Sequence, residues 1–551
     1  MRTIAQTRVR RGITLVAGAA VAALALSACA SGGGTNAGSG DPVKWELTAT
    51  TPAPSGDIDS ITWAAYAEPY SLDYAYAFDY ADNSVLANVC ESLLRLNPDL
   101  TLTPSLAESF ENPTPTTWVY NLRPGVTFHD GTPLTADDAV ASMSRILNPE
   151  VGSAWFSVYQ NVASIEKTGD MQVTVTTTIP DSQFNQGLGG SAGVIESAAT
   201  LETLGADYGN STGGVNCTGP FQFDSWKSGE SITLKKFDGY WDKELVAKSA
   251  EFKIVFMNDA TARINALKSG EVDGSWMVPL DAVSQLQEGG SGDMLFGVNT
   301  AVSNLIISNL DGPLGDVRVR KALLMALDRE GISQAANAGI GDVTDAFTTE
   351  AVWGTSGEAN TAEAFDGLEE YPFDVEAAKK LVEEAGAAGQ EITLVTAPIS
   401  QEFAVVSQAA AAAGKAIGLN IKIETVTPNA YTALFSDPDA RAGVDLFYTS
   451  WYLSSPDPLE MYGVLRTGEF SNYANWSNPE YDAIVTEAVS TMDPEARGAL
   501  TAKAQLLANA ELPWLPLYEI PMSVYMGERV TGLSPSIAHL YFPWAAQLGA
   551  R

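Results

Sequence analysis

Two periodicities succeed one another through the body of this chain, one apolar residue in two and then one in 3.6, and that alternation restricts it to an α/β or mixed α+β architecture. Runs 172–178 (QVTVTTT), 231–235 (SITLK), 251–256 (EFKIVF) and 420–426 (NIKIETV) are rich in β-branched residues and read as strands. Between them lie helices with their own start and stop signals. Thr135, with Asp138 three residues on, caps a helix whose face is Val140, Met143, Ile146 and Leu147. Asp374 caps a second, striped by Ala377, Ala378, Leu381, Val382 and Ala385 and closed by Gly386. Residues 316–327 (DVRVRKALLMAL) form a third. There is no short internal repeat, and 551 residues are enough for three or four domains of ordinary size.

The first 28 residues stand apart from that pattern. Arg2, Arg8, Arg10 and Arg11 precede an apolar run, 13–26, which has the length of a signal-peptide core and is short for a membrane span. Leu26-Ser27-Ala28-Cys29 resembles the lipobox of bacterial lipoproteins. The resemblance implies removal of 1–28, a lipid on Cys29 as the membrane attachment, and a flexible linker over 29–56, whose stretch 31–40 is SGGGTNAGSG. The alternative is an ordinary cleavable signal. Without its four arginines the chain keeps 27 basic against 67 acidic residues, a net charge of −40. Such a balance argues against nucleic acid as a partner and against adhesion to anionic lipid other than through the anchor. With Cys29 lipidated, Cys90 and Cys217 remain as an even pair in an oxidising compartment and are expected to form a disulfide, two buried free thiols being the alternative.

Catalytic chemistry finds few materials. His129 and His539 are the only histidines, so a Ser-His-Asp, Cys-His or multi-histidine metal site is hard to assemble. No P-loop, H-E-x-x-H or G-x-S-x-G occurs. Paired carboxylates are abundant, and counting alone leaves a two-carboxylate hydrolase open. The expectation is a protein that is not an enzyme and carries no cofactor and no metal. His129, in the turn His129-Asp130-Gly131-Thr132-Pro133, reads as structural.

Several segments, in order, resemble the extracellular solute-binding proteins of peptide/nickel-type ABC transporters (solute-binding family 5). They are 88–94 (NVCESLL), 103–109 (TPSLAES), 118–145 (WVYNLRPGVTFHDGTPLTADDAVASMSR) and 217–221 (CTGPF, with Cys for the family's Gly). They continue with 266–273 (ALKSGEVD), 316–322 (DVRVRKA), 326–329 (ALDR) and 477–482 (SNPEYD). The match covers about 60–545. It implies an α/β, two-lobed periplasmic-binding-protein-like fold (type II, cluster C) with an extra domain inserted in the first lobe. Carried over, lobe I is 57–93, 210–303 and 512–551, the inserted domain 94–209 and lobe II 304–511. It further implies a lipid-anchored extracytoplasmic monomer that closes like a clam shell on a peptide or small molecule and hands it to permease subunits. A ligand sensor without transport remains open beside that.

The peptide-binding members hold the ligand's α-ammonium with an Asp three residues after a Trp. Here Trp451 is present and the position three on is Ser454, a neutral hydroxyl. Charge-assisted bonds are roughly twice as strong as neutral ones. Peptides therefore come first on family grounds, and oligosaccharides or another organic solute second, with Asp457 as a substitute anchor. Nickel has little to bind to, although a nickel chelate stays conceivable. Further cleft candidates are Trp276, Tyr66 (with Glu68 and Tyr70 nearby), Phe347 (with Trp353) and Tyr452, which by strand alternation faces opposite to Trp451.

Overall fold

The β-branched runs form strands almost where the periodicity puts them. Gln172–Thr177, Ser231–Lys236, Ser249–Phe256 and Asn420–Thr425 are all extended and paired. The helices begin at their expected caps. Ala136–Leu147 starts in a full capping box between Thr135 and Asp138, Val375–Glu384 starts at Asp374, and Val317–Met325 starts at Asp316. Gly386, just past the second of these, takes a left-handed φ of 68°, which no β-carbon penalises in glycine. These elements come from a computed structural model that describes residues 43–551. The expected signal peptide, the lipidated Cys29 and the first part of the linker lie outside the described residues.

The unit Asp41–Arg551 is built on two large sheets. A seven-stranded sheet runs in the order Asp293–Gly297, Met522–Met526, Gly274–Trp276, Ile58–Ala65, Ser249–Phe256, Ser231–Lys236, Phe221–Lys227. A six-stranded sheet runs Asp342–Val343, Trp514–Glu519, Val302–Ile307, Leu446–Trp451, Glu391–Thr396, Asn420–Thr425. Both mix parallel and antiparallel pairs; Ile58–Ala65 lies parallel to Ser249–Phe256, for example, with Trp63 opposite Ile254. A separate four-stranded antiparallel sheet, Ala107–Thr114, Thr117–Leu122, Gln172–Thr177 and Val162–Gly169, has its own core, in which Tyr120, Phe128, Met143 and Tyr159 are buried. It falls within the stretch expected as the inserted domain.

The chain passes between the large sheets twice, at 297–302 and at 519–522. The second passage differs from the expected partition, which put 512–551 together in lobe I. Trp514–Glu519 pairs with Val302–Ile307 in the six-stranded sheet, and the chain reaches the other sheet at Met522. The Asn299 side chain ties the two passages together by donating to the Ile520 carbonyl (2.9 Å), and the Thr300 hydroxyl holds the first to the turn after Leu446–Trp451 by donating to the Leu453 carbonyl (2.9 Å).

Cys90 and Cys217 are bridged, with Cα atoms 4.8 Å apart. Beside them His129 donates from Nε2 to the Gly219 carbonyl (3.1 Å), and burial lowers its pKa to about 4. It is a structural histidine. Among the described residues no helix is long and apolar enough to cross a membrane.

Candidate functional site

Parallel pairing puts Trp63 of Ile58–Ala65 opposite Gly274. The missing side chain there is what admits the indole, since a β-carbon on Gly274 would lie 2.2 Å from the Trp63 ring. Two residues on, Trp276 leaves the same strand toward the same region. The C-terminal segment supplies the rest. Trp544 packs 5.1 Å from Trp63 and edge-on to Trp276, and His539 stacks flat on Trp276 with ring centroids 4.1 Å apart. Together they wall a cavity of about 20 Å³, room for a water or so, at the ends of the central strands of the seven-stranded sheet. Tyr66, Tyr80, Ser84 and Met277 are also among its lining residues. Met277 has a φ of 52°, strained for a residue with a β-carbon.

Three polar atoms of this cage are without partners. Trp63 Nε1, Trp276 Nε1 and His539 Nε2 are buried and make no hydrogen bond among the described residues. Trp544 differs, since its Nε1 donates to the Ser84 carbonyl (2.9 Å). His539 Nδ1 lies 2.9 Å from the Ser536 carbonyl, which can only accept, so the proton sits on Nδ1. Burial lowers the His539 pKa to about 3, which leaves the imidazole neutral and Nε2 a bare acceptor.

Below the cage the helix Tyr80–Leu86 starts at Asp79, whose carboxylate accepts from the Tyr80 amide and from the Tyr66 hydroxyl (2.9 Å). One turn on, Asp82 accepts from the Tyr70 amide (2.6 Å) through Oδ1, while its Oδ2 is buried without a partner among the described residues. Burial, with Asp79 nearby, pushes its pKa up to about 7.

The six-stranded sheet approaches from the other lobe, with none of its residues in the cavity lining. Leu446–Trp451 ends in Trp451, whose ring packs edge-on to Trp514 at 5.2 Å, inside its own lobe. The next residue, Tyr452, crosses the gap: its hydroxyl donates to the Phe78 carbonyl (2.9 Å) and its ring meets Tyr80 at 5.0 Å. Ser454 and Ser455 are occupied, each giving its amide and its hydroxyl to Glu460 at 2.6–3.0 Å.

Of the sequence-derived candidates, Tyr66, Trp276 and Tyr452 thus converge around the cage and its mouth, with Trp451 and Ser454 on the adjoining turn. Two candidates are corrected. Phe347 is 2% exposed in the hydrophobic core, as is its neighbour Trp353, whose indole donates to the Thr348 hydroxyl (3.0 Å). Asp457, also 2% exposed, accepts from Arg497 Nε (2.8 Å) and the Leu459 amide (2.9 Å), so its carboxylate is spent on the protein. Sequence reasoning missed Trp63, Trp544, Tyr80, Asp82 and His539. The signal available for His539 is its rarity, as one of two histidines in the chain.

Comparisons with known proteins bear on the family and the fold. Residues 101–473 match the model of the bacterial extracellular solute-binding proteins, family 5 Middle. The chain is 26% identical over 471 residues to the glutathione-binding protein GsiB of Salmonella paratyphi A, covering 84% of this chain and 89% of the relative. Its fold is similar to that of the periplasmic binding protein DppA from Helicobacter pylori in complex with the peptide STSA (TM-score 0.77, 20% identity, 90% of this chain and 98% of the other). It is similar as well to AgaA from A. tumefaciens R10 in complex with agropinic acid (TM-score 0.76, 23% identity, 89% and 99%).

Proposed function

Because the chain belongs to the bacterial extracellular solute-binding proteins, family 5, the substrate-binding components of ABC importers, we propose that it captures a peptide or peptide-like solute between its two lobes. The observation that carries this reading is the bond from Tyr452 to the Phe78 carbonyl, which latches one lobe onto the other over an aromatic-walled cavity. Lobes held together this way exchange open and closed populations, and a solute that touches both favours the closed one. Affinity then comes from burial and closure, with no covalent step, so the protein acts as a binder and not as an enzyme. Permease subunits are the receiving partner. The lipobox-like segment supports a lipid on Cys29 that holds a monomer on the outer face of the membrane. The lobes follow the two large sheets, with the inserted domain around 94–209 and the second return to lobe I at 519–522.

Among peptides, glutathione is the first to test, since it is what the relative GsiB is named for binding. A second reading, an oligosaccharide or another organic solute, is favoured by one observation: neither Ser454 nor Asp457 offers a free charge to an ammonium group. A thermal-shift screen of the protein with glutathione, di- to pentapeptides, oligosaccharides and metal chelates separates the two. A ligand at a hundredfold excess over its Kd stabilises the folded state by about 2.7 kcal/mol. A shift with glutathione or peptides supports the first reading. A shift with sugars alone overturns it, and no shift with any of them overturns both.

A further inference from the structure

The cage in the seven-stranded sheet is not an inert core void. Three of its wall side chains, Trp63, Trp276 and His539, are each at least nine-tenths buried, and each leaves a polar nitrogen without a partner among the described residues. An unpaired buried polar group costs about 1–3 kcal/mol. Three around one cavity are a cost that a folded chain recovers when something enters and bonds to them.

Their chemistry fixes what that something is. The two indoles only donate. His539, with its proton held on Nδ1 by the Ser536 carbonyl, only accepts at Nε2. No residue lining the cavity carries a formal charge. A carboxylate entering here would meet the imidazole lone pair without a cation to balance it. An ammonium could be accepted by His539 Nε2, but it would face two indole donors that repel it and would find no carboxylate in the lining itself to balance its charge. A hydroxyl, or the end of an amide, both gives and takes a hydrogen bond and is neutral. The volume, about 20 Å³, admits one group of that size.

We propose that the cage is a subsite for a single uncharged hydroxyl or amide group of the captured solute, with His539 Nε2 accepting its hydrogen and the Trp63 and Trp276 indoles donating to its oxygen. The inference rests on the solute-binding reading above and names the part of the solute that the first lobe reads. It makes His539 a specificity-determining residue and assigns recognition at this point to polarity without charge.

The experiment uses the protein labelled with ¹⁵N-histidine and ¹⁵N-tryptophan, titrated with acetamide, acetate and methylammonium as probes. Before any addition, the His539 Nε2 resonance is expected to be that of an unprotonated ring nitrogen. Acetamide should move that resonance and the Trp63 and Trp276 indole N–H resonances saturably, while acetate and methylammonium at equal concentration leave them in place. His539→Phe keeps a flat ring on Trp276 and should weaken the acetamide response at least tenfold. His539→Gln restores an acceptor and should recover part of it. A protonated Nε2, a charged probe that matches acetamide, or silence toward all three probes overturns the subsite, and none of these readings needs a variant that folds. The outcome is independent of the thermal-shift screen: failure of every peptide there leaves the acetamide response standing, and failure of acetamide leaves the peptide shift standing.

Discussion

The two walls that meet at Tyr452 treat their polar groups in opposite ways. On the first-lobe side, Trp63, Trp276 and His539 hold unpartnered nitrogens around a small void. On the second-lobe side, the turn from Ser454 to Glu460 has consumed its own: Glu460 takes four hydrogen bonds from two serines, and Asp457 is locked to Arg497. A surface whose donors and acceptors are already paired gains little by meeting a solute, because each new bond must replace an old one. A surface with orphans gains on contact. On the reading proposed above, the first lobe meets the solute through its orphans while the second supplies a cover, and each prediction below acts on one side of that contrast.

The strongest way to break it is to unpair the second-lobe side. Asp457 and Arg497 are 2% and 3% exposed, and the pair spans from the turn to the helix Pro494–Glu511. Arg497→Ala leaves a buried carboxylate without its cation, which costs about 3–5 kcal/mol. Denaturant melts should show a loss of that size, and the molecules that remain folded should keep the same order of preference among ligands. A changed order would mean that this turn reads the solute after all.

The next effect belongs to the first-lobe side and depends on pH. The Asp82 pKa is raised from 3.8 to about 7, chiefly by burial. A group raised on folding contributes its full share of stability below its unfolded value, and loses that share as pH rises through the folded one. The fold therefore gives up stability between about pH 4 and 7 through this residue, about 4 kcal/mol in all. Asp82→Asn keeps an acceptor for the Tyr70 amide and removes the charge. The variant should match the native protein near pH 4 and exceed it by about 4 kcal/mol at pH 8 in parallel chemical melts. A difference that stays constant with pH would show that Asp82 is ionised in the fold at neutral pH, paired to something on the first-lobe side.

How far the sequence could foresee this contrast depends on range. The capping box at Thr135, the strand at Gln172–Thr177 and the stripe after Asp374 are set by residues three or four apart, and periodicity finds them. The passage at 519–522 is invisible at that range. Trp514–Glu519 and Met522–Met526 are both wholly apolar or nearly so, and which sheet each joins is decided by partners more than two hundred residues away. The same holds for the site. Trp276 could be suspected from its neighbourhood, whereas its stacking partner His539 arrives from the far end of the chain. Asp457 looked free because its partner Arg497 lies forty positions on, on a helix face that no local pattern links to the turn.

The smallest effect tests the seam itself. Tyr452 is where the covering wall touches the reading wall, through one hydrogen bond to a main-chain carbonyl and an edge-on contact with Tyr80. Tyr452→Phe keeps the ring contact and removes the bond, which is worth about 1 kcal/mol. That bond exists only when the lobes are together, so its loss weighs on the closed state and not on the folding of either lobe. The thermal midpoint without ligand should stay close to the native value, and affinity for whichever ligand the thermal screen identifies should fall about fivefold, mainly through faster dissociation. If the midpoint falls and the affinity holds, the bond is part of the resting fold, and the second lobe is then a fixed wall that does not move to cover the cage.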